Sequence, residues 1–371
     1  NMIKIFHTGD LHLDSAFCRL SHADRIAARA HQRDIFLKMM KYVSQEAFDL
    51  VLISGDLFDS RTITPETEEC VINTFASLSC PVVIAPGNHD PFALTEIYSS
   101  YKLPENVYVF NSTEMQVISF DELRVQVCGY AFVESNTLEA NSLDSFVPPA
   151  FDGVTLLCAH AELDVPSSKT APISSSDIAD CRFAYAALGH IHRYGITRKG
   201  NSLIAYCGAP EGRAFDEIGD GGAIELTVSD GKVSAERVIF SERRFLLDTF
   251  DASGASDCKV LTERICEFVK SRGYGKDTAL RLTLTGEVAM GLSIDKSAIE
   301  TALGDLLMLA ELEDETYPAI DIRALEGDFT LRGEVYRVLR PRLESENKDE
   351  RRLAAEALKA ALLAIDGRDI K

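Results

Sequence analysis

A chain of 371 residues is too long for one ordinary hydrophobic core, so two or three domains are expected. Its 46% hydrophobic residues suit a globular protein, and no apolar run reaches the ~18 residues of a membrane span. A formal charge of -20 excludes a basic nucleic-acid footprint spread over the whole surface. Any phosphate polymer must be drawn in by bound cations, a local basic patch or a partner.

In chain order, Ile3 to Phe6 is a short β-branched strand, and Arg25 to Tyr42 has apolar residues at helical spacing (Ile26, Ile35, Phe36, Met39). Leu50 to Ile53, Val82 to Ala85, Val154 to Ala159 and Ala184 to Leu188 are continuous apolar runs, the pattern of strands buried on both faces. Gln116 to Phe120 and Leu123 to Val127 alternate around Asp121 and Glu122 as a hairpin. Strands alternating with amphipathic helices indicate α/β layers.

The character changes after about Phe240. Phe245 to Phe250 and the alternating Leu280, Leu282 and Leu284 read as strands. Val260, Leu261, Ile265, Phe268 and Val269 make one helix stripe, and Ile299, Leu303, Leu306 and Leu307 another, giving a second, βαβ-type unit. From about Leu325 the tail is helical and charged. Leu331, Val335, Val338 and Leu339 form a stripe that Pro341 kinks or ends. Leu353, Ala357, Leu358, Ala361, Leu362 and Ile365 line a last helix, with Asn347 and Glu350 as its capping pair. The expected boundaries are 1–244, 245–324 and 325–371.

Nine cysteines, Cys18 among them, form no CxxC pair, which argues against a zinc knuckle. No basic, apolar leader opens the chain, so free thiols in a reduced, cytoplasmic protein are expected. Asn1 ahead of Met2 reads as an expression remnant.

The chemistry lies just past the carboxyl ends of the buried strands. Asp10-Leu11-His12 comes after the first, Gly55-Asp56-Leu57-Phe58-Asp59 after the second and Gly87-Asn88-His89-Asp90 after the third. His160 comes after the fourth and Gly189-His190-Ile191-His192 after the fifth. Open α/β sheets bind ligands at that carboxyl end. A nitrogen and oxygen donor set without thiolate suits two divalent ions, manganese first, with iron or magnesium as alternatives. Gly9, Gly55, Gly87 and Gly189 permit the tight turns that aim the donors inward.

Asp10 and Asp56 neutralise only part of the roughly four positive charges of such a pair. The remainder attracts a phosphoryl oxygen, and a water between the ions loses its proton more easily and attacks phosphorus in line. A histidine suits protonation of the leaving oxygen near neutral pH. Singly, each piece has a plainer reading. Asp after a strand is commonly a turn residue or helix N-cap, and His7, His22 and His31 read as structural or surface residues. Five donor-bearing junctions in one order do not reduce to turns.

These motifs, D-x-H, GD-x-x-D, GNH(D/E), H and GH-x-H, resemble those of the calcineurin-like metallophosphoesterase superfamily, and all five are complete here. The resemblance implies an α/β fold: a metallophosphoesterase β-sandwich flanked by helices, with a small α/β capping domain and a helical C-terminal tail. It implies that Asp10, His12, Asp56 and His192 hold one metal. Asp56 would bridge to the second, which Asn88, His160 and His190 complete. His89 is then no ligand but the general acid, oriented by Asp59.

HTGDLHLDSAF, GAPEGRAFDEIGDGG, FTLRGEVYRVL and ALLAIDGR are similar to segments of SbcD-like DNA-repair exonucleases, in particular the YhaO-type branch. That similarity implies manganese-dependent cleavage of DNA, exo- or endonucleolytic, by a homodimer away from membranes. It also implies that the tail docks on an SMC-like ATPase of the SbcC or YhaN kind. Arg193, Arg198, Lys199 and Arg213 are candidate local cations, with Arg213 the candidate substrate contact. Gly-Asn-His-Asp and Asp59-Ser60-Arg61 argue against phosphoprotein phosphatases. A cyclic-nucleotide-type phosphodiesterase shares the GNHD form and is the alternative. A non-catalytic scaffold for the ATPase is the second alternative, against which the intact donor set speaks.

Overall fold

The computed structural model describes residues 2–17, 22–59, 63–100, 102–229, 231–289, 292–365 and 367; Cys18, Ser60, Arg61, Asp366 and Arg368 lie outside them. The chain divides into two units, Asn1–Phe245 and Leu246–Lys371. No described helix is long and apolar enough to cross a membrane.

In the first unit β1 (Ile3–Thr8), β2 (Leu50–Ile53), β3 (Val82–Ile84) and β4 (Val107–Val109) pair in parallel. β5 (Gln116–Phe120) and β6 (Val125–Gly129) are the expected hairpin and begin a second sheet. β7 (Val154–His160) joins β6 in parallel, and β8 (Glu162–Leu163) with β9 (Pro172–Ile173) makes a short side ladder. β10 (Tyr185–Gly189) pairs with β7, and β11 (Gly195–Lys199) is the antiparallel edge beside β12 (Ser202–Tyr206). β13 (Gly222–Ser229) and β14 (Lys232–Ile239) return to the first sheet, antiparallel beside β1. The two orders are β14-β13-β1-β2-β3-β4 and β11-β12-β10-β7-β6-β5.

The apolar runs explain the stacking. In β2, Val51 and Ile53 point to one side and join Phe36, Met39 and Phe75 of α1 (His22–Gln45) and α2 (Pro65–Ser77). Leu50 and Leu52 point to the other and meet Leu156, Tyr185 and Ala187 of the second sheet. The far face of that sheet, with Leu157, Ala159, Ala186 and Leu188, packs on Phe183 and Ile178. Ile97 and Tyr98 of the short α3 (Glu96–Ser99) complete the first layer, and Ile178 belongs to α4 (Ser175–Asp180). Helices thus flank a two-sheet sandwich, and strands buried on both faces have no polar alternation to show. Each fully buried Leu, Ile or Phe contributes roughly 1.5–3 kcal/mol.

His7 is the exception inside this core. Its ring lies between the sheets, with Nδ1 2.8 Å from the Tyr185 hydroxyl and Nε2 3.0 Å from Ser54 Oγ. Burial pushes its imidazole down to about 3 from the ordinary 6.5. Between those values the unfolded chain binds a proton that the folded chain refuses, so stability falls as pH drops from 6.5 towards 3. The parent is expected to lose about 2 kcal/mol relative to His7→Phe between pH 7 and pH 5, measured by urea unfolding. A difference that does not change with pH would mean that the ring takes up its proton in the fold as readily as in the unfolded chain.

In the second unit β15 (Arg244–Asp251), β16 (Thr278–Thr285) and β18 (Leu309–Asp314) form a sheet of order β15-β16-β18, beside a short β17 (Glu287–Val288) and β19 (Tyr317–Pro318) ladder. α5 (Cys258–Ser271) and α6 (Lys296–Gly304) start at Asp257 and Asp295, whose side chains accept from the Val260 and Ala298 N–H groups. Their Leu261, Ile265, Ile299 and Leu303 pack on Leu280, Leu282 and Leu284.

In the tail helices α7 (Ile322–Glu326), α8 (Leu331–Leu343) and α9 (Lys348–Ile365), part of each expected stripe is buried and part faces outward. Leu325, Tyr336, Leu358 and Leu362 make a small core of their own, while Leu331, Val338 and Leu353 face outward. An amphipathic stripe is wider than the contact one neighbouring helix can cover, so its edge stays exposed. The expected capping pair is also half realised. Asn347 Oδ1 accepts from the Asp349 N–H at 2.9 Å, but Glu350 accepts from Ser345 Oγ.

Candidate metal centre

The donor-bearing junctions meet at one end of the sandwich, and the backbone there is held in unfavourable conformations. Asp10, His12, Asp56 and His190 have φ of 51°, 48°, 49° and 96°. A left-handed non-glycine residue costs roughly 1–2 kcal/mol and persists only where its surroundings over-determine it. Here the loops after β1 and β2 are zipped together, with Asp10, His12 and Leu13 N–H groups donating to Gly55, Asp56 and Leu57 carbonyls at 2.9–3.0 Å. Two glycines are required by close approach. A Cβ on Gly55 would stand 2.5 Å from His160 Nδ1, and one on Gly87 would strike the Asp56 carboxylate.

Each central imidazole is fixed through Nδ1 by a group that can only accept. His12 Nδ1 lies 3.0 Å from Asp59 Oδ1, His192 Nδ1 2.7 Å from Glu217 Oε1, and His160 Nδ1 3.0 Å from the Ser54 carbonyl. The proton therefore belongs on Nδ1, and the Nε2 lone pairs face inward. Yet the inward atoms meet one another. His12 Nε2 and His192 Nε2 are 3.1 Å apart, and His160 Nε2 is 2.9 Å from Asn88 Oδ1 and 3.3 Å from Asp56 Oδ2. Acceptors converging on acceptors fit cations between them.

The electrostatics agree. Burial lowers the His160 imidazole, but Asp56 and Asp10 outweigh it and raise it to about 9. Burial raises Asp56, but His160 and His12 hold its carboxyl well below the ordinary range. That negative field draws positive charge to His160, whereas burial lowers the His12 and His190 imidazoles. Among the described residues, three overlapping groups have donor atoms within 4.8 Å of one another: Asp10, His12 and His192; Asp10, Asp56 and His160; and His12, Asp56 and His89.

The family model for calcineurin-like phosphoesterases matches residues 3–194, just over half of the chain. The chain belongs to that family. Among curated relatives, this phosphoesterase is 25% identical over 328 residues to the uncharacterized metallophosphoesterase YhaO of Bacillus subtilis, covering 85% of this chain and 79% of that one. It is 25% identical to a subunit of the nuclease SbcCD of the same organism, covering 69% and 74%. It is 24% identical to the DNA double-strand break repair protein Mre11 of Saccharolobus solfataricus, covering 58% of this chain and 57% of that one. A candidate dual-metal cluster within this family supports hydrolysis of phosphate esters.

Asp10, His12, Asp56, Asn88, His160 and His192 thus come together in this phosphoesterase. His190 takes part differently: its backbone N–H donates to Asp10 at 3.0 Å, and its ring stands edge-on to His160 at 5.2 Å. His89 Nδ1 lies 2.9 Å from Asp59 Oδ1, the oxygen that also faces His12. The hydrogen bond to Asp59 raises the His89 imidazole, with burial opposing it. Arg213 reaches the cluster's edge, 3.4 Å from His192 Nδ1. Arg198 and Lys199 lie exposed on β11.

Two residues of the site have no role among the sequence expectations. Asp90 closes the Gly-Asn-His-Asp motif without a part of its own there. Its carboxylate accepts from the backbone N–H groups of Asp56, Leu57, Phe58 and Gly87 and from the Tyr98 hydroxyl, tying the loops after β2 and β3 together. Burial and then Asp56 push it up to about 7, while five donors select the ionised form. Glu217 is the other. Burial raises its carboxyl, but His192 and Arg213 bring it down to about 2. Nothing local in Asp216-Glu217-Ile218 marks it, since its partner lies 25 residues away.

Proposed function

We propose that this chain is a two-metal phosphodiesterase that hydrolyses DNA, as an exonuclease or endonuclease acting in repair. The observation that carries the reading is the convergence of the His12, His160 and His192 ring nitrogens on one another and on the Asn88 amide and Asp56 carboxylate oxygens. In this reading Asp10, His12, Asp56 and His192 hold one ion, and Asp56, Asn88, His160 and His190 the other. Two divalent ions, when bound, supply Lewis acidity to the phosphoryl oxygens and a water of lowered pKa. Manganese suits the mixed donors first, with iron or magnesium as alternatives.

The chain's own residues do the rest. Asp59 fixes Nδ1 of His89, so Nε2 is the nitrogen left to protonate the leaving oxygen. With 46% of its side chain exposed, His89 stands where substrate can reach it. Arg213, the candidate substrate contact, has each guanidinium nitrogen bonded to Glu217 or Ser15.

DNA as substrate draws support from the relatives named as part of a nuclease and as a DNA double-strand break repair protein. The net charge of -20 demands help from the ions and from a partner. An SMC-like ATPase meets that need in this reading, and the chain acts as a homodimer with 245–324 as the capping domain and 325–371 as the docking tail. The outward Phe329, Leu331, Val338 and Leu353 are the apolar residues a partner would cover.

The test is a manganese-dependent assay on labelled single- and double-stranded DNA, beside bis-p-nitrophenyl phosphate and cyclic nucleotides. Cleavage of DNA that EDTA abolishes is expected. Turnover of cyclic nucleotides with DNA intact at low salt would replace the reading by a small-molecule phosphodiesterase. Binding of two ions with no turnover at all would leave the scaffold.

A further inference from the structure

We propose that Glu217, locked by Arg213, is a positioning residue that sets metal affinity at the Asp10–His12–His192 position, and that Arg213 serves this clamp instead of the substrate. The inference rests on the reading of the cluster as a two-ion site.

The clamp is built by a loop between β12 and β13, beyond the stretch 3–194 that the family model matches. Gly208, at φ 73°, lets this loop lie against residues 192–194, where a Cβ would stand 2.8 Å from the Tyr194 nitrogen. The Ala209 N–H then donates to the His192 carbonyl at 3.0 Å. After the turn at Arg213, the Glu217 carboxylate comes back to His192 Nδ1 at 2.7 Å. The loop therefore grips His192 by backbone and by ring.

Arg213 grips the carboxylate in turn. Its backbone N–H donates to Oε2 at 2.7 Å, and its guanidinium bonds both oxygens. The remaining nitrogen donates to Ser15 Oγ at 3.2 Å, and Ser15 Oγ donates to the His12 carbonyl at 2.7 Å. One network thus reaches the His192 ring and the backbone carbonyl of His12, the two residues whose Nε2 atoms face each other. The Glu217 side chain is 6% exposed, so the pair is shielded from solvent. Because the pair carries no net charge, it orients His192 without adding to the repulsion among Asp10, Asp56 and Asp59.

The other proposed position is buttressed by a neutral group, the Ser54 carbonyl on His160. Loss of an outer carboxylate of this kind typically weakens metal binding about 10–100-fold. Here the weakening should fall on one ion and not the other.

The experiment is a manganese titration of the full chain followed by electron paramagnetic resonance, for the parent, Glu217→Gln and Arg213→Gln, with thermal melting as a folding check. The parent is expected to bind two ions and to show an exchange-coupled pair. Glu217→Gln should bind one ion as the parent does and the second about 10–100-fold more weakly. Arg213→Gln should weaken the same ion, by a smaller factor. Folded Glu217→Gln that binds both ions with parental affinity would overturn the proposal. So would Arg213→Gln that keeps both affinities and only raises KM for bis-p-nitrophenyl phosphate, which would make Arg213 a substrate contact. Should Glu217→Gln not fold, the Arg213→Gln titration decides alone. A parent that binds no pair of ions refutes the two-ion reading itself.

Discussion

Asp56→Asn is expected to abolish hydrolysis and to remove most of the stabilisation that manganese gives the fold. Asp56 Oδ2 lies 3.3 Å from His160 Nε2 and 3.5 Å from His12 Nε2, so one oxygen serves imidazoles of both proposed positions. Asparagine keeps the shape but loses the charge and turns an amide donor or a single neutral oxygen towards those nitrogens. It also tolerates the left-handed backbone at φ 49°, so the variant should fold without new strain. Ions at 100 times their dissociation constant stabilise by about 2.7 kcal/mol per position, or about 5 kcal/mol for two. Melting with manganese and with EDTA should show that difference in the parent and little of it in Asp56→Asn. A variant that keeps the parental gain would rule out the bridging role.

How far this could be read from the sequence depended on whether the signal was local. β2 was legible because four buried apolar residues in a row have few other uses, and Leu50 to Ile53 are all fully buried. The site was legible because a donor at a strand's carboxyl end is adjacent in sequence to the strand that positions it. The groups that fix the donors were not. Asp90 holds residues 32–34 positions away through their backbone N–H groups, which carry no residue identity to recognise. Asp59 Oδ1 serves His12 as well as His89, and only the approach of two loops reveals that. The β13 strand beside β1 is a pairing across more than 200 residues, beyond any periodicity. In the tail, periodicity located the helices, but the buried row on α9 is Ala354, Leu358 and Leu362, chosen by the packing of α8.

His89→Asn is expected to lower kcat on DNA by about 10²–10⁴ while manganese binding stays parental. The loss should depend on the leaving group. A DNA oxygen leaves as an alkoxide and needs a proton, whereas p-nitrophenolate is stable without one. Bis-p-nitrophenyl phosphate turnover should therefore fall by less than about tenfold in the same variant. Asp59→Asn provides the contrast, since Asp59 faces both His89 and His12 within 3.0 Å. It should lower both turnover and metal affinity, where His89→Asn lowers only the first. His89 donor atoms also lie within 4.8 Å of those of His12 and Asp56. A variant that loses manganese and fails equally on both substrates would therefore make His89 a ligand, and the proton for the leaving oxygen would have to come from water.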